Sequence, residues 1–325
     1  MTQINLSDVS MKRPSAGNKS RWLDMWRHNM PLSFTVLFSV VMLILTTVGL
    51  LVDTRTLLGE PIWIKPTKFA MSSIFYSATL LWLLTYIEGW PRFVRLISWV
   101  TAITMLGELI LIGIQAGRGV RSHFNMATPL DAIIFSAMGT MILLLWLVSL
   151  LAVILLIRQH FTDSAWGLAL KLGLVIGVIG SGLGALMTGP TAEQTADMDR
   201  TGMTTETMGA HSVGVDDGGE GLPFVGWSTE GGDLRIGHFV GMHGMQVLPL
   251  VGWFVIQQNR RFSLRRQKGL IWTAGGGYLG LVILLTWQAL RGEPVVGPSG
   301  LTLSLFAGLL VAVVAAAGWL VRPEK

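Results

Sequence analysis

The chain has 325 residues, of which 51% are hydrophobic and only 13% charged, with a mean hydropathy of +0.57, whereas an ordinary soluble domain is about 25% charged. That deficit excludes a soluble globular enzyme, because the charges sit in short clusters between apolar runs of about 20 residues, the length that crosses a hydrocarbon core. The net charge of +5 does not point to nucleic acid, since the Lys and Arg residues flank the apolar runs and so anchor and orient a membrane protein.

Residues 1–31 read as a polar, basic cytoplasmic tail with no apolar run before Pro31, so the first span is expected to act as the insertion signal. Hydropathy then places five spans within 32–187, at about 32–52, 67–87, 94–116, 132–157 and 168–187. A periplasmic loop follows at 188–235, then three more spans within 236–321, at about 236–257, 270–290 and 301–321, and a cytoplasmic tail at 322–325. In lipid every backbone polar group must be satisfied inside its own segment, and runs such as Met141 to Ile157 are too long for barrel strands. The fold class is therefore an all-α polytopic bundle of about eight transmembrane helices. Pro31, Pro66 and Pro129 fall just before helix starts, where the missing N–H is harmless, whereas Pro249 inside the sixth span predicts a kink.

Eight spans put both termini on one side. Sixteen of the 24 Lys and Arg residues then lie on that side, and the 189–235 loop opposite holds nine acids against two arginines. This bias places the termini in the cytoplasm of a bacterial inner membrane. Within the loop, 189–221 is rich in Gly, Thr, Asp and Glu and reads as a flexible excursion. Gly221 to Trp227 is apolar enough to lie among lipid headgroups or fold over the bundle mouth. Asp216 to Glu220 lacks the spacing of a calcium loop and reads as a solvated turn.

Ionisable residues at membrane depth are costly and mark functional candidates. The third span carries Glu108 and Gln115 on one face, followed by Arg118, Arg121, His123 and Asn125; the sixth carries His238, His243 and Gln246. The second span opens with Lys65 and Lys68, and the seventh ends with Gln288 and Arg291, all in the same outer layer. Two lysines at a helix N-terminus oppose the macrodipole, which suits an anionic small-molecule partner, unless they snorkel or pair with Glu60 and Asp53. His238 and His243 are five apart, hence about 140° apart on a regular helix, and cannot share one face.

Three chemical readings follow. In the leading one, His238 or His243 ligates haem lying over the face of Gly237, Gly241 and Gly244, with its propionates on Arg118, Arg121, Lys65, Lys68 or Arg291, possession of redox activity being the consequence. In the second, Glu108, His123 and His238 or His243 hold a divalent metal that activates water for a membrane hydrolase. In the third, Glu108 and His243 exchange protons along the polar pathway of a solute or ion transporter. The bland alternative is a structural subunit whose polar residues only pair helices, with the lipid bilayer as partner.

The segments Ile62 to Phe69, Gly119 to Asn125 and Gly237 to His243 resemble those of bacterial polytopic integral membrane proteins, a resemblance that implies the bundle and carries no catalytic motif. Eight helices with three histidines are also similar in outline to membrane zinc hydrolases of the alkaline ceramidase type, whose paired histidines are spaced more tightly than the five residues here.

Overall fold

The structure is a computed structural model that describes residues 26–27, 29–203, 205–258 and 262–322. Most of the basic tail at 1–31, Arg260 and Arg261, and the last three residues of the chain lie outside them. The helices are α1 (Met30–Val52), α2 (Ile64–Leu84), α3 (Pro91–Arg118), α4 (Pro129–Ile157), α5 (Ser164–Leu183), α6 (Ala192–Thr201), α7 (Leu234–Met242), α8 (Gly244–Gln257), α9 (Leu264–Leu290) and α10 (Gly300–Val321). Two-stranded ribbons join Thr56–Leu57 to Glu60–Pro61 and Ser212–Val213 to Gly232–Asp233.

Local chemistry sets the helix ends. Asn29 caps α1 through its side chain and also donates to Ser98 Oγ at 2.8 Å, tying α1 to α3. Thr128 and Asp163 cap α4 and α5, and Pro129 occupies the first turn of α4. Gly119 ends α3 with a left-handed φ of 72°.

Among the described residues six helical stretches are long and apolar enough to cross a membrane, and α7 with α8 makes a seventh if the bent pair is one span. The sequence leads one to expect eight. The difference is α2, which is made too polar for that measure by Lys65, Lys68 and its serines. These serines face protein: Ser73 bonds Ser39 at 2.8 Å. Large apolar side chains such as Phe34, Leu45, Ile133 and Leu310 are exposed along the helices, as a lipid-facing surface requires. The kink also moves. The chain bends by 44° between Met242 and Gly244, about one and a half turns before Pro249. That proline lacks the N–H that would bond the Met245 carbonyl, and the neighbouring glycine resists bending least.

Packing runs α1 on α2 and α3, α3 on α4, α4 on α5, α5 on α7 and α8, and α9 on α5, α7 and α8, while α10 rests on α9. Gly180 and Gly241 let α5 and α7 touch backbone to backbone, since a side chain on Gly180 would meet Gly241 atoms at 2.2 Å. The main apolar core sits where α2 and α4 end and α3 and α5 begin, around Leu80, Leu81, Ile97, Leu155, Leu156 and Leu170.

The stretch 189–235, which composition reads as partly flexible, is built into a cap across the opposite end. Thr191 and Gln194 form a capping box that starts α6. Backbone bonds join Met126 to Glu206, Met208 to Phe124 and Ala210 to Met187.

Candidate functional site

Beneath the cap, α2, α3, α7 and the 119–128 connection bring together charged groups from distant parts of the sequence. Lys65 lies at the centre: its charge is felt by Glu108, His123 and His211, and it feels Lys68, Arg235 and Asp217 in turn. Among the described residues its ammonium has no hydrogen bond; the nearest ring is Phe69, 6.0 Å away. Glu108 is 2% exposed, and neither carboxylate oxygen has a hydrogen-bond partner. Among the described residues Lys65 and Glu108 therefore form neither a hydrogen bond nor an ion pair with each other.

The surrounding charges are paired. Lys68 donates to the Val225 carbonyl at 3.2 Å and lies 3.6 Å from Glu60, one of the partners that the sequence offers it. Asp53, the other, is taken by Arg55 and the Trp63 indole. Arg235 pairs with the fully buried Asp233 at 2.6 Å and also donates to the Gly226 carbonyl. The Gly221–Trp227 segment is thus latched onto this end of the bundle by two cations through its backbone carbonyls, with Phe224 exposed at its tip.

Three imidazoles line this end, each fixed through Nδ1: His123 by Ser122 Oγ at 3.0 Å, His211 by Asp217 Oδ2 at 2.9 Å, and His238 by the Gly180 carbonyl at 2.8 Å. Burial, with Lys65 and His211 nearby, holds His123 well below the ordinary histidine value. Burial also lowers His211, against the pull of its bond to Asp217. For Asp217 burial pushes upward, but bonds from His211 and from the His211 and Ser212 amides outweigh it and hold the carboxyl below its usual range. Asp217 is therefore an anchor within the cap rather than part of a solvated turn. His211 escapes notice in the sequence, being a single polar residue in a Gly-rich stretch; an acid six residues after it, across a glycine turn, is the signal it leaves.

Other residues singled out from the sequence have structural work. Gln115, Arg118, Asp131 and Thr128 form one network in which Arg118 donates to Asp131 at 2.6 Å and to Gln115, clamping α3 to α4. Arg121 reaches Thr207 at 3.3 Å, and Asn125 folds back on the Arg121 carbonyl at 3.2 Å, so both fasten the cap. Gln288 donates to the Pro294 carbonyl at 2.7 Å, and Arg291 lies over Trp287 beside Glu293. Gln246 bonds Thr79 on the bundle's flank. His243 is exposed at the bend between α7 and α8, and no contact joins it to Glu108.

Among the described residues no three His, Asp or Glu side chains converge as a metal needs. The Phe124 ring stands 6.2 Å from His123 and 4.9 Å from His211, separating them. The glycine face of α7 is closed: Gly241 meets Gly180, and Gly237 meets Thr286, leaving no room there for a porphyrin.

No family model, curated protein or solved structure matches the chain.

Proposed function

We propose that the chain is an eight-span protein of a bacterial inner membrane, with both termini cytoplasmic, and that its capped periplasmic chamber binds a small polar solute on the way into or through the bundle. The eighth span is α2, whose 21 residues extend about 32 Å and whose polar side chains turn to protein, as when Tyr76 bonds Ser149 at 2.7 Å. The observation that carries the solute reading is Glu108, whose buried carboxyl has no hydrogen-bond partner on either oxygen. Leaving a charge so placed is costly unless something pairs with it. Among the described residues Asp53, Glu60, Asp217 and Asp233 at this end each have a partner, which leaves Glu108 as the acid a solute would engage. The latched Gly221–Trp227 segment is the part that has to lift for entry.

The chain has no cysteine, so one introduced thiol reports alone. A Glu108→Cys variant in right-side-out vesicles should react with a small, membrane-impermeant methanethiosulfonate reagent, faster when Lys68→Ala loosens the latch. A thiol at position 108 that stays unreactive in both backgrounds reduces the chamber to helix packing. The orientation is checked in the same vesicles: Phe224→Cys should label without permeabilisation and His160→Cys only after it.

A further inference from the structure

At the end of the bundle away from the cap, α8 finishes, α9 begins and α10 finishes, and between them lies a cleft of about 380 Å³ lined by Phe254, Val255, Gln258, Phe262, Leu270 and Val321. Ligand pockets run from roughly 300 to 1,000 Å³. Five of the six lining residues are apolar, and Phe254 and Val321 are 63% and 45% exposed, so the cleft opens on the surface that lipid covers. We infer that it binds one anionic phospholipid, with an acyl chain in the cleft and the phosphate among the cations at its rim. This rests on the chain spanning a bilayer and not on the solute site.

The walls are held in place from behind. Gln267 is buried and donates to the Phe262 carbonyl at 3.0 Å, fixing the connection between α8 and α9. The end of α10 is seated on the start of α9, where a side chain on Gly269 would meet Leu320 at 2.9 Å. The charge beside this apolar space is of one sign. From Gln258 to Leu270 the sequence holds Arg260, Arg261, Arg265, Arg266 and Lys268 and no acid, and Arg322 follows directly on Val321. Arg266 stands one turn from Leu270 on the same face of α9, and Arg265 and Arg322 are exposed. From Gln246 to the last residue the only acids are Glu293 and Glu324. Glu293 lies past the far end of α9, where it accepts from Thr302 at 2.6 Å, which leaves Glu324 against six cations. An apolar cleft alone would take any acyl chain, and cations alone would attract any anion; the two side by side select an amphiphile with a negative headgroup.

The test counts lipids retained by the purified full chain in mild detergent, using native mass spectrometry with phosphatidylglycerol or phosphatidylcholine of identical acyl chains. The wild type should load its first phosphatidylglycerol at a concentration about tenfold or more below that needed for phosphatidylcholine. Arg265→Gln with Arg322→Gln, both exposed and so dispensable to the fold, should remove most of that preference. Val321→Trp fills the cleft from its exposed wall and should weaken retention of the first lipid of either kind by about tenfold. Gln258→Trp fills it from the α8 side, so the plug is read in whichever variant keeps the wild-type melting temperature. Equal loading of the two lipids by the wild type would overturn the selection by charge, and the proposal with it. A preference for phosphatidylglycerol that survives plugging would put the lipid on the open surface and leave the cations a role in topology alone, which overturns the cleft as the site.

Discussion

The two ends of the bundle solve the same packing problem with opposite chemistry. Where α2 and α4 finish, leucines such as Leu80, Leu81, Leu155 and Leu156 interlock with Ile97 and Leu170, and stability comes from close apolar contact. Where α3 and α9 finish and α7 begins, the buried residues include Gln115, Asp131, Asp233 and Gln288, and the contacts are directional bonds that each need a partner. An apolar core tolerates no spare group because there is none to spare. A polar one records any group left over, and Glu108 is the carboxylate left over.

The comparison breaks first if the apolar end is not what holds the molecule together. Leu156 is fully buried, and Leu156→Ala should cost about 2–5 kcal/mol of stability, read as a large fall in melting temperature in detergent. A melting point within a degree or two of wild type would mean that lipid-exposed helix contacts, not this cluster, carry the fold.

A smaller effect distinguishes the ends by pH. His123 is held below the value of about 6.5 that it has when unfolded, under the influence of burial, Lys65 and His211. His211, facing Asp217, Lys65 and Arg235, is lowered too. As pH falls through 6.5 the unfolded chain takes up protons that the folded chain refuses, so stability declines. Asp217 adds a loss only at lower pH, as the medium approaches the ordinary carboxylate range. Melting temperatures between pH 7 and pH 5 should therefore fall, and His123→Asn should flatten the slope. An unchanged slope in that variant would remove His123 from the buried set.

The apolar end was the more legible from sequence because hydropathy is a property of contiguous residues. Runs such as Met141 to Ile157 announce a helix whatever surrounds them. The polar end is assembled from residues far apart in the chain, and single residues do not say whom they will meet. Glu108 stood out as an acid within an apolar run, and Lys65 as a cation at a helix start. Arg118 looked just as available and turned out to be committed to Asp131. His238 and His243 fall on different faces of a regular helix, but their spacing does not say which face meets protein; His238 is fixed by the Gly180 carbonyl, while His243, at the bend after Met242, is exposed. Composition made 189–221 read as loose, although the Thr191 and Gln194 pair was a capping signal within it. His211 and Asp217 depend on a turn in the cap that only the assembled chain defines.

The smallest expected change in stability is the sharpest test of the contrast. If Lys65 and Glu108 held the polar end together as Leu156 holds the other, replacing both would unfold it. Each instead lacks a bonding partner among the described residues, and exchanging a buried acid and base for apolar groups of similar size is often neutral or stabilising. The double variant Lys65→Met with Glu108→Leu should therefore melt no lower than wild type. A melting temperature as low as that of Leu156→Ala would make the pair part of the scaffold. Unimpaired folding in that double variant is what a pair outside the scaffold, as opposed to a strut, leaves behind.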